Sequence, residues 1–180
     1  MIRYMSYTED QMLEGCRLGQ RSAQEQFYRH FQGKMLALCL RYTRDRETAL
    51  DIMNRGFLRV FSKINSFQQT GSLEGWVRKI MVHAVADYFR AQNKTRITIT
   101  GTISEKDESV VMPADRFARE TLLQALEQLS DVQKLVFNLY AIEGYSHKEI
   151  GELAGMNDNT VRWVYAEAKK KLQQYLTPLL

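Results

Sequence analysis

The sequence predicts an all-α protein built from two small helical domains that an extended linker joins. Apolar residues recur at three- and four-residue spacing over most of the 180 residues, which indicates amphipathic helices. Only 2 prolines interrupt this pattern. Residues 93–116 lack the helical period, and a connection of that length counts against a single compact domain. We therefore expect domains at residues 6–92 and 117–180, with residues 93–116 as the linker.

The first two predicted helices start at capping residues. Thr8 is expected to cap the first helix. Ser22, with Glu25 three residues later, forms a capping-box pattern that predicts the start of the second. The expected apolar sides consist of Met12, Leu13, Cys16 and Leu18 in the first helix and of Phe27, Phe31, Met35, Leu38 and Tyr42 in the second.

A third helix is predicted from Glu47, and a fourth follows Ser72, which can cap it. The turn-rich loop between them carries one aromatic residue, Phe67, that we expect to be exposed. The expected buried residues are Leu50, Met53, Phe57, Val60, Phe61 and Ile64 in the third helix and Trp76, Val77, Ile80 and Ala84 in the fourth. Periodicity alone does not assign the polar sides to solvent or to a partner; they carry Asp51, Asn54, Arg55, Arg59 and Lys63, then Arg78, Lys79, His83, Asp87 and Arg90.

The second domain ends in a predicted helix-turn-helix at residues 145–172. Gly155 can adopt the positive φ that ends its first helix, and Asp158 or Asn159 is expected to cap the second. In this motif the second helix can enter the major groove of DNA, although two packed helices in any all-α domain give a similar pattern. The helices before it are expected to pack through Leu122, Leu123, Leu126 and Leu129, and then, after a cap at Ser130, through Val132, Leu135, Val136, Leu139 and Tyr140.

The net charge of +4 is unevenly placed along the chain. Up to Gln92 there are 14 Lys and Arg against 9 Asp and Glu, whereas from Phe117 onward there are 7 against 8. The basic surface therefore belongs to the front half, where it favours a polyanionic partner.

No pattern for catalysis, cofactor binding or export is found. Cys16 and Cys39 lie far apart, and His30, His83 and His147 are scattered, so neither set has metal-ligand spacing. There is no Gly-rich phosphate loop and no nucleophile elbow. The start of the chain lacks a signal-peptide core, and no apolar run approaches the roughly 18 residues that cross a bilayer. We expect a cytoplasmic protein that is not an enzyme and needs no cofactor.

The whole layout resembles the short bacterial sigma factors of the extracytoplasmic-function (ECF) group of the sigma-70 type. The stretches EQFYRHFQGKMLALCLRYTRDRETALDIMNRGFLRVFSKINSF and SLEGWVRKIMVHAVADYFR are similar to sigma region 2. The stretch LLQALEQLSDVQKLVFNLYAIEGYSHKEIGELAGMNDNTV is similar to sigma region 4. The resemblance covers about residues 6–92 and 117–175.

The resemblance implies three partners: core RNA polymerase, promoter DNA and an anti-sigma factor. Polymerase binding would then fall to Asp51, Asn54, Arg55 and Phe57. Region 2 would read and open the −10 element through Phe67, Gln68, Gln69, Ser72, Arg78, Lys79, His83 and Arg90. Region 4 would read the −35 element as duplex through Asn159, Thr160, Arg162, Trp163, Glu167, Lys169 and Lys170.

The sequence departs from the usual family pattern in three places. Asn54-Arg55 stands where the family usually has Gln-Glu, and His83 stands where it usually has Asn. In the recognition helix, Glu167 replaces an expected cation; it repels phosphates but can accept from cytosine N4. We therefore expect an unusual or weak −35 contact, in which Trp163 either touches a thymine methyl group or packs within the domain.

Two other classes of protein remain as alternatives. A stand-alone helix-turn-helix regulator would usually be a symmetric dimer, and no coiled-coil seam is present to form one. A small helical enzyme or an interaction adaptor is the other alternative, and the missing catalytic constellation argues against the enzyme.

Overall fold

The computed structural model describes residues 7–93, 121 and 124–176, and the regular elements in these ranges are helical, without a strand. This confirms the all-α prediction. Contacts divide the chain into two compact units, one of Met1–Leu40 and Asp45–Val85 and the other of Arg41–Arg44 and Ala86–Leu180. The predicted linker lies outside the described residues, apart from Asn93. Within the described ranges, no helix combines the length and apolarity needed to cross a membrane.

The first unit is a bundle of helices around an aromatic core. Its elements are α1 (Glu9–Arg17), α2 (Arg21–Leu40), α3 (Arg46–Lys63), a 3-10 turn (Ile64–Ser66) and α4 (Leu73–Asn93), whose last residues are grouped with the second unit. Helix α2 packs against both α1 and α3. The predicted apolar side of α2 is confirmed from Phe27 to Leu38, and Phe27 and Phe31 have ring centroids 4.8 Å apart. Tyr42, which was predicted with them, is buried but follows the end of the helix.

Side-chain caps fix the starts of these helices, with two differences from prediction. Thr8 caps α1 in a capping box, as expected. Ser22 does not cap α2, because the helix already begins at Arg21 and the Gln24 N–H donates to the Gln20 carbonyl. Asp45 caps α3, which starts one residue before the predicted Glu47; the Thr48 N–H lies 2.7 Å from its carboxylate and holds the pKa of Asp45 below its usual range.

Five apolar predictions in the first unit are wrong in detail. Leu50 and Phe61 of α3 are only half-buried. Leu18 follows the end of α1 and is 66% exposed, so it does not join the core. Trp76 and Ile80 are only half-buried. Val77 and Ala84 are buried as predicted, and the other buried residues of α4 are Leu73, Met81, Val82, Val85, Ala86 and Phe89.

The second unit contains the predicted helix-turn-helix. A helical segment at residues 124–127 precedes α5 (Asp131–Phe137), a π-helical turn (Asn138–Ile142), α6 (His147–Ala154) and α7 (Asp158–Leu176). Ser130 caps α5 in a capping box with Gln133, as predicted. Helix α7 packs against α5 and α6 through a core that includes Leu126, Leu129, Leu135, Val136, Leu139, Ile150, Val161, Val164 and Ala168. Leu122 and Leu123 lie outside the described residues.

Candidate nucleic-acid interface

The turn between α6 and α7 depends on two glycines. Gly155 ends α6 with φ of 70°, in the left-handed region that favours glycine. At Gly151 the turn backbone passes so close that a Cβ atom would lie 2.6 Å from the Met156 carbonyl oxygen. The Met156 N–H donates to the Gly151 carbonyl at 2.9 Å. The predicted sharp turn is confirmed, and its backbone contacts hold α6 and α7 in one arrangement.

Helix α7 starts one residue earlier than its predicted caps allow. The Asn157 side chain accepts from the Thr160 N–H at 2.7 Å, so Asn157 caps the helix and the prediction of Asp158 or Asn159 is wrong. Asp158 is already helical, and its carboxylate lies 3.1 Å from Arg162 Nε. Asparagine and aspartate are equally good N-cap residues, so the sequence alone does not distinguish Asn157 from Asp158 and Asn159 as the cap.

The predicted −35 residues do not all share one exposed surface. Asn159 and Lys170 are exposed, while Thr160, Arg162, Trp163 and Glu167 are half-buried. Lys169 is only 8% exposed, because it shares the packed side of α7 with Tyr165 and Leu172. The structure therefore does not present Lys169 as a DNA contact. The cation that remains near the start of α7, Arg162, is paired with Asp158.

A surface groove of about 760 Å³ runs between the starts of α6 and α7. Tyr140 and His147 form part of its lining, with ring centroids 4.4 Å apart and nearly parallel planes. Lys148 and Arg162 line it as well. The carboxylates of Glu149 and Asp158 line the groove too and balance these two cations, so the groove offers polar and aromatic groups but little net positive charge.

Helix α4 carries an exposed basic side. Lys79, His83 and Arg90 are exposed at four- and seven-residue spacing, so they lie along one side of the helix. Arg90 is paired with Asp87 on the next turn of that side. Arg78 is half-buried, although sequence reasoning placed it with the others.

The loop that precedes α4 is anchored by the residue that we expected to be exposed. Phe67 is only 7% exposed, and its ring packs 5.3 Å from that of Trp76, so the prediction of an exposed aromatic is wrong. The exposed residues of the loop are Gln68, Gln69, Thr70, Gly71 and Ser72. The loop therefore presents amides and hydroxyls instead of an aromatic ring.

Two features of this loop were missed from the sequence. Gln69 has φ of 57°, an uncommon conformation for a residue other than glycine. Arg17 Nη2 donates to the Phe67 carbonyl at 2.8 Å. Ser72 Oγ accepts from the Gly75 N–H at 3.0 Å, which confirms its predicted role as the cap of α4. The loop is thus fixed at both ends.

The outer side of α3 carries most of the predicted polymerase residues. Asp51 and Arg55 are exposed and form an i,i+4 ion pair at 2.9 Å, and Asn54 accepts from the Tyr28 hydroxyl at 3.2 Å. Phe57 is 2% exposed and packs 4.6 Å from the Tyr28 ring, so it belongs to the core and not to this surface. Leu58, which was not predicted, is 70% exposed.

Family comparisons identify the protein as a sigma factor of the sigma-70 class. Residues 27–95 match the family model for sigma-70 region 2, and residues 119–172 match that for sigma-70 region 4. These regions contain α4 with its loop and the helix-turn-helix, in the predicted order. The chain belongs to the sigma-70 family, and its relatives assign it to the ECF group. It is an RNA polymerase sigma factor that directs core polymerase to promoters and initiates transcription.

The relatives resemble the chain over most of its length. RNA polymerase sigma factor SigV of Bacillus subtilis is 27% identical over 140 residues, which cover 78% of this chain and 82% of SigV. YlaC of the same organism is 26% identical, covering 87% and 94% of the two chains. The ECF RNA polymerase sigma-E factor of Haemophilus influenzae is 23% identical, covering 96% and 97%.

A solved structure supports the fold. The sigma factor RpoE of Bartonella quintana, crystallised with the anti-sigma factor NepR, superposes with a TM-score of 0.51 at 17% identity. The match covers 85% of this chain and 96% of the other.

Proposed function

We propose that the two helical regions divide promoter recognition between them. The region of residues 6–92 reads and opens the −10 element, residues 117–180 read the −35 element as duplex, and residues 93–116 connect them. The observation that carries this proposal is the exposed row of Lys79, His83 and Arg90 on α4, the helix that follows the exposed loop tip. Strand separation requires cations along a backbone and groups that hold unstacked bases, and α4 with its loop supplies both.

The loop reads bases through hydrogen bonds. Gln68, Gln69 and Ser72 are exposed, and amide and hydroxyl groups can donate to and accept from base edges. Phe67 supports the loop from below by packing on Trp76, so it acts without touching DNA. This revises the role that the residue pattern alone suggested for Phe67.

The −35 contact is electrostatically weak. Asp158 partly neutralises Arg162, and Glu167 adds a negative charge on the same helix. Asn159 and Thr160 lie at the start of α7, the end that reaches base edges in a helix-turn-helix. Affinity then comes largely from the basic first unit and from the polymerase, while α7 contributes register and sequence preference.

Polymerase binding is assigned to the outer side of α3, through Asp51, Asn54 and Arg55. The internal Asp51–Arg55 pair gives this side little net charge, so the contact relies less on long-range attraction. We further propose that an anti-sigma factor regulates the protein, as one binds the Bartonella relative, and that the protein acts in the cytoplasm, where polymerase works.

Transcription in vitro on paired templates tests this division of labour. One template carries both promoter elements, and a second carries the −10 element with the −35 sequence scrambled. Arg162→Ala should reduce transcription from the first template and so narrow its difference from the second, since a lost contact typically weakens binding by about 1–3 kcal/mol. Unchanged output and unchanged salt dependence would remove Arg162 from the −35 contacts.

The alternative, a stand-alone helix-turn-helix regulator, makes a different prediction. A sigma factor co-purifies with core polymerase and binds duplex DNA poorly alone. Tight binding of a palindromic duplex by the purified protein, without polymerase, would favour the alternative.

A further inference from the structure

We infer that Arg17 is a positioning residue for promoter opening, because it fixes the loop whose exposed residues, 68–72, contact the −10 strand in the function proposed above. Arg17 is the last residue of α1, far from α4 in sequence. Its Nη2 atom donates to the Phe67 carbonyl at 2.8 Å, across 50 residues of chain. The inference rests on the proposed function and adds a residue outside the region 2 match, which begins at residue 27.

The contact lies at the base of the loop. Phe67 is the last buried residue before the exposed tip, and its N–H donates to the Ile64 carbonyl at 3.3 Å. Its carbonyl accepts from the Arg17 guanidinium. A charged donor on a carbonyl makes a stronger hydrogen bond than a neutral one, and the Arg17 side chain is only 28% exposed. The tether therefore restrains the backbone at the point where the tip begins.

The tip needs such a restraint because one of its residues is strained. Gln69 has φ of 57°, which a glutamine adopts only when its surroundings impose it. The surrounding anchors are the Arg17 tether and the Phe67–Trp76 packing on one side and the Ser72 cap on the other. Without the tether, Gln69 can relax, and the amides at the tip lose their fixed direction. A loop that is already ordered before it binds DNA loses less conformational entropy on binding, so it binds more tightly.

A substitution at Glu14 provides a control that distinguishes loss of the Arg17–Phe67 hydrogen bond from a change in charge near Arg17. The Glu14 carboxylate lies 3.7 Å from Arg17 Nη1, one turn earlier on α1, and is largely exposed. Glu14→Gln removes this ion pair but leaves the bond to the Phe67 carbonyl. Arg29→Ala is a second control, because Arg29 is an exposed arginine that pairs with Glu25 on α2.

The test compares Arg17→Ala and Arg17→Lys with Glu14→Gln and Arg29→Ala in three measurements. These are affinity for core polymerase, the rate of opening followed by 2-aminopurine in the −10 element, and backbone hydrogen exchange. Arg17→Ala should slow opening by roughly 5-fold, the effect of one typical hydrogen bond, with polymerase affinity unchanged. Exchange should accelerate at residues 67–72 while α2 and α3 stay protected. Arg17→Lys, which keeps a cationic donor, should recover part of the rate, and both controls should behave as wild type.

Two results would overturn the inference. One is normal opening by Arg17→Ala, and the other is an equal loss of opening and polymerase affinity with faster exchange throughout the unit, which would make Arg17 merely structural. Gln69→Ala distinguishes this failure from failure of the proposed function. If Gln69→Ala slows opening but Arg17→Ala does not, the loop still reads the −10 strand without the tether. If neither variant slows opening, the role proposed for the loop is wrong as well.

Discussion

Arg162 and Asp158 face each other one turn apart on the recognition helix, with Nε of the arginine 3.1 Å from the carboxylate. The pair sits at the start of α7, where DNA-reading residues of a helix-turn-helix lie. The helix thus neutralises its own leading cation, so that the second unit combines a DNA-reading fold with little net attraction for phosphates.

Removing the negative partner should strengthen DNA binding. Asp158→Asn removes the negative charge beside Arg162, so affinity for −35 duplex should rise about 2- to 5-fold and the salt slope should steepen by up to about 1. Titration of the holoenzyme at several salt concentrations measures both. Glu152→Gln is the matched control, because Glu152 is an exposed acid on α6 and its loss changes the net charge equally. An equal gain in affinity by Glu152→Gln would show that the change in net charge, and not the loss of the Asp158–Arg162 pair, causes the effect.

The turn glycine should not tolerate a methyl group. Gly151→Ala places a Cβ 2.6 Å from the Met156 carbonyl oxygen, and because this neighbour is backbone, the turn itself must shift. We expect a loss of about 1–3 kcal/mol in the free energy of unfolding of the second unit. Gly33→Ala in α2 has no atom within 4 Å of the new Cβ and should instead stabilise its helix by about 0.5–1 kcal/mol. Denaturant unfolding of both variants makes the comparison, and equal stabilities would contradict it.

Substitutions at Phe67 and Gln69 should have different effects, the first on the stability of the protein and the second on promoter opening. Phe67→Ala removes a buried ring from Trp76 and should cost about 3 kcal/mol in unfolding free energy. Gln69→Gly removes an exposed amide at a positive φ, so it should keep or slightly raise the melting temperature and yet slow promoter opening. Thermal melts and opening rates of the two variants decide. If the Phe67→Ala protein were as stable as wild type but opened promoters slowly, the result would indicate that the Phe67 ring contacts DNA.

Features that depend on residues close together in the sequence could be predicted, whereas contacts between distant residues could not. The helices, most residues of their apolar sides and the caps at Thr8, Ser72 and Ser130 follow from signals within one or two turns, and these predictions are confirmed. Phe57 was placed on the right apolar stripe, and its burial against Tyr28 does not present it for the polymerase contact that the resemblance implied. The Arg17–Phe67 contact joins residues 50 positions apart and uses a backbone carbonyl, so no side-chain pattern announces it. Lys169 was predicted as a DNA contact because it lies in the recognition helix, and the packing that leaves it 8% exposed involves distant parts of the chain.

Both cysteines should resist alkylation in the folded protein. Burial raises the pKa of the Cys16 thiol from 9.0 to about 11, and Cys39 is buried as well. At pH 8 the lower thiolate fraction alone should slow the reaction of Cys16 about 100-fold, because the thiolate is the nucleophile. Burial of the neutral thiol stabilises the fold below pH 9, and this contribution is lost as the pH rises through 11. Iodoacetamide labelling mapped by mass spectrometry measures the rates, with denatured protein as the control; fast native labelling of Cys16 would contradict the structure.

Transcription by core RNA polymerase from a pool of genomic promoters, with and without the purified protein, tests the central claim most directly. Sequencing the transcripts should reveal starts that appear only with the protein and share one pair of −35 and −10 elements. Gln69→Gly should reduce output from these starts while the variant still binds core polymerase. A protein that yields no new starts and does not bind core polymerase would contradict its assignment as a sigma factor.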